Sequence, residues 1–121
     1  MRKMLKLVLM CTPLVLPILT ASPAAAMRTS YYNCCNPETA SGFPFSAGNP
    51  HIAAHRTLKF GTKIHLAYKG KELCVTVRDR GPFTKKNGRF TRDLDVTEAA
   101  ANRLGFKRSG VVNLSAKVGG C

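Results

Sequence analysis

The sequence contains few acidic residues and no tryptophan. Its 121 residues include 6 Asp and Glu against 19 Lys and Arg, a formal net charge of +13. Such an excess of basic residues favours polyanionic partners, although a basic surface also serves solubility alone. The lack of tryptophan and of a basic amphipathic helix argues against an exported protein that disrupts membranes. No internal repeat is present, and the length allows one small domain.

The longest apolar run stands at the N-terminus and has the pattern of a signal peptide. Arg2, Lys3 and Lys6 precede or open the run, LVLMCTPLVLPILTA follows them, and SPAAA supplies small residues for cleavage. Two prolines interrupt the run, which is short for a membrane span of about 20 residues. We therefore predict a cleaved signal peptide over residues 1–26, export to the periplasm or the exterior, and no stable membrane insertion afterwards.

The predicted export narrows the partners that the basic residues suggest. Without its first 26 residues the chain keeps 16 Lys and Arg against 6 Asp and Glu, a net charge of +10. Export argues against nucleic acid, and we expect no nucleic-acid partner. Cell-wall polymer, anionic lipid headgroups and acidic polysaccharide fit an exported basic protein better.

Four cysteines follow the predicted signal peptide: Cys34, Cys35, Cys74 and Cys121. An even count in an exported small domain predicts two disulfides. Adjacent cysteines rarely bond each other, because the required geometry strains the peptide. We therefore predict that Cys34 and Cys35 are divided, one each, between Cys74 and Cys121, in either of two connectivities. The chain lacks a C-x-x-C pair, which weakens a zinc site as the rival interpretation.

Alternation of apolar and polar residues predicts strands in the second half of the chain. TKIHLAY (62–68) and ELCVTVRD (72–79) flank a Lys-Gly turn, which is the pattern of a β-hairpin. VVNLSAKV (111–118) predicts a last strand. TEAAANRLG (97–105) predicts one short helix, with a threonine to cap its start and a glycine to end it.

The first third of the predicted mature chain lacks such periodicity. We interpret residues 27–38 as an extended lead-in and the Gly-, Pro- and Ser-rich residues 39–50 as a loop. Several short strands, one helix and long loops predict a small closed β-barrel. Four aromatic residues are candidates for stacking on sugar rings, of which the two phenylalanines fit the core better: Tyr31, Tyr32, Phe45 and Phe60.

Four motifs then stand in order: TASG (39–42), AAHRTLKFGTKI (53–64), VRDRGPF (77–83) and DVTEAAANRLGF (95–106). Together they resemble the rare lipoprotein A (RlpA) family. The resemblance implies a mainly β fold, a six-stranded double-psi β-barrel with one or two short helices, over residues 39–118. It also implies an endolytic peptidoglycan transglycosylase of the septal ring, a monomer that binds glycan strands without metal or cofactor. Protein partners at the division site stay open.

The resemblance also implies the site residues. His55 matches the histidine of the family's AAH motif, Asp79 the aspartate of its NDRGPF motif, and Asp95 the aspartate before its final helix. We expect Asp79 and His55 to be catalytic. We expect four further residues to contact the substrate: Arg80, Asp95, Thr39 and Ser41.

A lytic transglycosylase requires little more than one carboxylic acid. The acid protonates the glycosidic oxygen and then, as a carboxylate, accepts the proton of the sugar's own C6 hydroxyl. That hydroxyl closes on the anomeric carbon and leaves an anhydro sugar, without the water or covalent intermediate of two-carboxylate glycosidases. Asp79 is the first candidate for this acid, and anchoring its own loop is the alternative role. Asp95 is alternatively explained by a position close to the helix N-terminus.

Phe43 occupies the position after TASG at which the family often carries an acidic residue. This difference leaves a second hypothesis open. The chain would then be a non-catalytic barrel that binds peptidoglycan or another polysaccharide through its groove and basic surface.

Overall fold

The computed structural model describes residues 23–33 and 38–121. In this part of the chain the elements follow in the order β1 (Ala25–Tyr32), β2 (Ile52–Ala54), β3 (Lys63–Tyr68), β4 (Lys71–Asp79), β5 (Lys85–Lys86), β6 (Arg89–Phe90), β7 (Leu94–Thr97), α1 (Glu98–Leu104) and β8 (Val111–Val118). Six strands form a closed barrel in the order β1–β7–β2–β4–β3–β8, and β5 pairs with β6 in a separate two-stranded sheet. The predicted mainly β barrel with a short helix is confirmed.

The predicted hairpin, last strand and helix are present. Ile64 of β3 pairs with Val75 of β4, and both side chains are fully buried. The Thr97 hydroxyl accepts a hydrogen bond from the Ala100 amide at the start of α1 (3.2 Å). Gly105 ends the helix in the left-handed conformation with φ 85°, which glycine adopts without steric strain.

The core fills the barrel and the space beneath the helix. Alternate residues of the barrel strands point inward, since side chains of a strand alternate between its two faces. Apolar side chains of α1 and the residues that follow it close one side. The largest fully buried apolar residues are Phe106, Ile52, Ile64, Leu66, Leu94, Leu104, Val75, Val77 and Val96.

Residues 27–32, predicted as part of a lead-in, belong to the barrel. They lie in β1, which pairs with β7 in parallel and with β8 in antiparallel orientation. The predicted barrel boundary at residue 39 is therefore corrected to Ala25. The sequence hides this strand because its most buried residues, Thr29 and Ser30, are polar. The short strands β2 and β7 were likewise not predicted, since three or four residues cannot display a clear period.

Most of the predicted signal peptide, residues 1–22, lies outside the described residues. Ala25 and Ala26 pair with Ala116 and Ser115 of β8. Cleavage after Ala26 stays a prediction, and it would shorten β1 by these two residues. In residues 23–33 and 38–121 no helix has the length and apolarity needed to cross a membrane.

The predicted disulfide pairing is wrong. Cys74 and Cys121 bond each other, with their Cα atoms 6.0 Å apart, so neither pairs with Cys34 or Cys35. Cys34 and Cys35 lie outside the described residues.

Barrel closure explains this pairing. β3 lies between β4, which carries Cys74, and β8, which leads to Cys121. After β8 the chain turns back across β3, where the Gly119 amide donates to the Lys63 carbonyl (2.7 Å). The side chain of Cys74 faces outward, because Leu73 and Val75 on either side point into the core. The C-terminal tail therefore meets Cys74 on the outer surface, an approach that sequence separation does not reveal.

Phe45 and Phe60 do not belong to the core, contrary to the prediction. Phe45 is half-buried and stacks on Tyr32, with 4.9 Å between ring centroids. Phe60 is 37% exposed and lies beneath the Arg80 guanidinium. Both phenylalanines therefore flank the polar residues described next.

Candidate active-site groove

Four neighbouring strands bring polar residues into one row. Ala54 of β2 pairs with Asp79 of β4 on one side and with Asp95 of β7 on the other. Ser30 of β1 pairs in turn with Asp95. The two aspartates thus lie two strand spacings apart, about 10 Å between backbones, on either side of Ala54. We call Ser30, Asp95, Ala54 and Asp79 the acidic row.

The acidic row lies on the outward face of the barrel strands, where Ser30 and Ala54 are buried and the two aspartates are partly buried. Leu94 and Val96, on either side of Asp95, are fully buried in the core. Side chains of consecutive strand residues point to opposite faces, so Asp95 points outward. The short strand β7 therefore carries two core residues and one site residue.

A β-bulge turns Asp79 to the same face. Val77 pairs with Ala53, and both belong to the core, so strict alternation would also point Asp79 inward. The register shifts between Ala53 and Ala54, which leaves Arg78 as the extra residue and sets Asp79 opposite Ala54. Bulges commonly redirect a side chain next to a functional site.

Asp95 is the acid of the row with a strongly shifted pKa. Burial, helped by the negative charge of Asp79, raises its pKa to about 6, although the Ser30 hydrogen bond and Arg92 act in the opposite direction. The Ser30 hydroxyl donates to its Oδ1 atom (3.0 Å). At mildly acidic pH a large fraction of Asp95 is therefore protonated and able to give up a proton.

Asp79 has a different environment, because donors surround its carboxylate. The backbone amides of Ala40 and Arg80 donate to Oδ1 at 2.8 and 2.9 Å. The Tyr32 hydroxyl donates to Oδ2 at 3.2 Å. Asp79 thus acts as a hydrogen-bond acceptor that ties loop and strand together, which supports the anchoring role that the sequence left open.

Tyr32 completes the groove, although the sequence indicated it only as one of several aromatic residues. Burial and the charge of the neighbouring Asp79 raise its pKa, so the phenol keeps its proton. Its ring stacks on Phe45, while its hydroxyl reaches Asp79. Like Ser30, it lies in β1, which was not predicted as a strand, so no sequence pattern placed either residue at the groove.

Thr39 and Ser41, predicted to contact substrate, hold the loop that reaches Asp79. The Thr39 side chain is buried, and its hydroxyl donates to the Phe43 carbonyl (2.8 Å) and lies 3.0 Å from the Ser41 hydroxyl. The Ser41 amide donates to the Arg78 carbonyl of β4 (3.1 Å). These bonds set the Ala40 amide against Asp79, so both residues act on the groove through the backbone.

Arg80, also predicted to contact substrate, braces the loop after β2. Its guanidinium donates to the carbonyls of His55 (3.1 Å) and Leu58 (2.7 Å). The same group lies 3.9 Å from the centroid of the Phe60 ring, a cation–π contact. The structure therefore brings Arg80 to the groove wall in a supporting position.

His55 follows β2 directly and is held as a neutral side chain. Its Nδ1 atom accepts hydrogen bonds from the amides of Thr57 (3.1 Å) and Leu58 (3.0 Å), so the proton of the neutral ring sits on Nε2. Burial and the charges of Arg56 and Arg80 lower its pKa. In the described residues no hydrogen bond joins the His55 ring to Asp79 or Asp95. The ring is therefore a hydrogen-bond donor beside the row.

One edge of the groove carries Phe43, the residue at the position where the RlpA motif often has an acid. Phe43 is 37% exposed, and the Arg78 guanidinium lies 4.6 Å from its ring centroid.

No group of three or more His, Cys, Asp or Glu that could hold a metal ion occurs within residues 23–33 and 38–121. The groove described above contains two carboxyl groups, a tyrosine and a neutral histidine.

The closed six-stranded barrel defines the fold class of this protein, and comparison with known proteins identifies the fold as a double-psi β-barrel and assigns the family. Solved structures with this double-psi β-barrel include Streptomyces papain inhibitor, with a TM-score of 0.63, 22% identity, and coverage of 84% of this chain and 96% of that chain. At that identity the likeness shows the fold alone. A family model described as lytic transglycolase matches residues 24–116, so the chain belongs to this family.

Curated relatives are similar over most of the barrel. A probable endolytic peptidoglycan transglycosylase RlpA of Aquifex aeolicus is 41% identical over 86 residues, covering 69% of this chain and 35% of that protein. The corresponding protein of Treponema pallidum is 42% identical over 79 residues, covering 64% and 23%. The chain thus spans about a third or less of the length of these relatives. The predicted resemblance to the RlpA family is confirmed.

Proposed function

We propose that the protein is an exported lytic transglycosylase that cleaves peptidoglycan glycan strands and leaves 1,6-anhydro-muramyl ends, with Asp95 as its general acid and base. The observation that carries this proposal is the acidic row: two carboxyl groups flank Ala54 in one outward groove. Membership of the lytic transglycolase family and the names of the relatives support the reaction class.

The proposed reaction needs one proton to move twice. Asp95, protonated, gives its proton to the oxygen of the glycosidic bond, and the bond from that oxygen to C1 of the muramyl sugar breaks. The Asp95 carboxylate then accepts the proton of the C6 hydroxyl, whose oxygen forms the new bond to C1. Water is not consumed, and Asp95 is protonated again at the end. A pKa of about 6 suits both halves of this cycle near neutral pH.

In this proposal Asp95 takes the place of Asp79 as the general acid, and Asp79 has a supporting role. Asp79 accepts three hydrogen bonds, so its oxygens are committed to donors. Its negative charge raises the pKa of Asp95, and a negative charge beside the groove also favours the cationic transition state at C1. The Nε2–H of His55 is positioned to donate to a sugar hydroxyl or acetamido oxygen.

Product analysis tests the proposal directly. Purified protein is incubated with isolated glycan strands, and mass spectrometry measures the anhydro ends. We expect anhydro products from the unchanged protein and at least ~100-fold slower release from Asp95→Asn, because the amide cannot donate and recover a proton. Asp93→Asn is the matched control two residues away, with a half-exposed side chain, and we expect its rate to stay within about threefold of the unchanged protein.

A second function, a wall-binding barrel without catalysis, is favoured by one observation. Phe43 and its Arg78 contact occupy the groove edge where the family motif often supplies an acid. Binding of glycan strands without any anhydro ends, under conditions where a known transglycosylase releases them, would select this function and exclude the enzyme.

A further inference from the structure

A basic, aromatic hairpin projects from the chain between the two aspartates. Residues 83–90, FTKKNGRF, are eight consecutive exposed residues, and they include β5, β6 and the turn that joins them. They carry three cations and two phenylalanines but no acid. Phe83 is 61% exposed and Phe90 is 43% exposed. We call residues 83–90 the basic hairpin.

The base of the hairpin is fastened to the barrel. The Arg56 guanidinium donates to the carbonyls of Pro82 (2.9 Å) and Arg92 (2.5 Å), one on each side of the hairpin. The same group lies 4.0 Å from the centroid of the Phe90 ring, and the Lys85 ammonium lies 4.8 Å from it. Cations thus cover Phe90, whereas most of the Phe83 ring faces solvent.

The attachment of the hairpin relates it to the groove. The chain enters it four residues after Asp79 and reaches Asp95 five residues after leaving it. Arg56, which clamps its base, directly follows His55. The hairpin therefore connects the end of β4 that carries Asp79 to the start of β7, which carries Asp95.

We propose that the basic hairpin is a second contact surface for the substrate strand and that its cations pair with carboxylates along that strand, a conclusion that rests on the proposed function. Lys85, Lys86 and Arg89 would pair with carboxylates of the muramyl units, and the Phe83 ring would pack on a sugar face. Three cations and no acid in an exposed segment give the charge complementarity that an anionic strand requires. Its place beside the groove favours the strand over a lipid surface, which would not need the acidic row nearby.

Binding is measured with the Asp95→Asn protein, so that cleavage does not alter the ligand during the experiment. The ligands are isolated glycan strands, the same strands with their carboxyl groups reduced to alcohols, and vesicles containing phosphatidylglycerol. The test variant adds Lys85→Glu and Lys86→Glu. The matched control adds Lys69→Glu and Lys71→Glu, which make the same charge change in the β3–β4 turn at the opposite end of β4.

We expect the hairpin variant to raise the Kd for native strands at least ~10-fold, equivalent to about 1.4 kcal/mol. The reduced strands should bind the parent protein weakly and show less than about twofold dependence on the hairpin, because the ion pairs are missing. Phe83→Ala should weaken both ligands by roughly fivefold, since the ring would no longer bury apolar area. The control variant should change the Kd for native strands by less than about threefold.

Equal weakening by the hairpin and control variants would overturn the proposal, because net charge alone would then explain binding. A hairpin variant that loses vesicle binding but keeps strand binding would assign the surface to lipid and also overturn it. The proposed function is tested separately. If strands bind through the hairpin but the unsubstituted protein never cleaves them, the proposed function is wrong and the contact surface is retained. Lys85→Glu and Lys86→Glu are also made in the protein that keeps Asp95. Normal cleavage with an unchanged Kd and KM in that variant would exclude the contact surface and leave the enzyme.

Discussion

The two sides of this barrel are built on different principles. On one side, β3, β8 and the first half of β4 pair in antiparallel orientation, bury alternating apolar residues, and carry the Cys74–Cys121 bond outside. On the other side, β1, β7, β2 and the end of β4 include both parallel pairs, a bulge and polar contacts between distant residues. Ser30 and Asp95 are 65 positions apart, and Tyr32 and Asp79 are 47 apart.

The difference separates two roles within one small domain: the first side has regular strand packing, and the second side carries the candidate catalytic groups. On the first side, the strand period, the turn residues and the core packing all favour the same structure. The second side holds a carboxyl group whose burial opposes its ionisation and a strand whose alternation is broken. Local disagreement with folding rules is expected at functional sites. Stabilising bonds should therefore be removable on the first side without loss of activity, and chemistry should be removable on the second with little loss of fold.

Removal of the disulfide should have the largest effect on stability. Cys74→Ser releases a crosslink between residues 47 positions apart, and loops of that size are worth about 4 kcal/mol in the chain-entropy model. Urea unfolding of oxidised protein measures the difference. Below its melting temperature the variant should release anhydro ends at the unchanged rate. A loss of activity in folded variant would show that the two sides are not separable.

Asp95→Asn should make the protein more stable at neutral pH. The folded pKa of Asp95 is raised from 3.8 to about 6, so its contribution favours folding fully below pH 4 and is lost as pH rises through 6. At pH 7 the variant should gain on the order of 2 kcal/mol over the unchanged protein, and the gain should vanish near pH 4. Unfolding curves at both pH values test this. An equal difference at pH 4 and pH 7 would contradict the assigned pKa.

Asp79→Asn should affect both the stability and the activity of the protein. Weaker hydrogen bonds from Tyr32, Ala40 and Arg80 should lower stability by about 1–2 kcal/mol. Loss of the negative charge should also lower the pKa of Asp95, so activity should decline at lower pH than in the unchanged protein. A pH–rate profile alongside thermal unfolding measures both. A lowered midpoint with an unmoved profile would leave Asp79 as a loop anchor only.

Substitution of His55 should have the smallest effect. His55→Asn places an amide oxygen near the position of Nδ1, so it can still accept from the Thr57 and Leu58 amides while the Nε2 donor is lost. We expect kcat/KM to fall about fivefold with the melting temperature almost unchanged, since one hydrogen bond to substrate is worth roughly 1 kcal/mol. His55→Ala removes the acceptor as well and should also destabilise the loop. Full activity in His55→Asn would exclude the donor role.

Much of the first side was predictable from the sequence, and little of the second was. The β3–β4 hairpin, β8 and α1 follow from period, turn and capping residues that are neighbours in the chain. β1 escaped prediction because polar Thr29 and Ser30 are buried in it, and β2 and β7 are too short to show a period. Asp79, Asp95 and His55 were named from the motifs, but the motifs did not reveal which aspartate is buried or which nitrogen of His55 is free.

The sequence by itself identified the family through its motifs, predicted a closed β-barrel, and named Asp79, Asp95 and His55 as site candidates, because local periodicity and motif spacing are properties of the chain alone. The tertiary structure decided the pairing of Cys74 with Cys121, since only barrel closure brings the C-terminal tail across β3. It also decided the division of roles between the aspartates. A bulge and a strand from the start of the chain surround Asp79 with donors and leave Asp95 partly buried, and burial and charge at a carboxyl group depend on residues that meet only after folding.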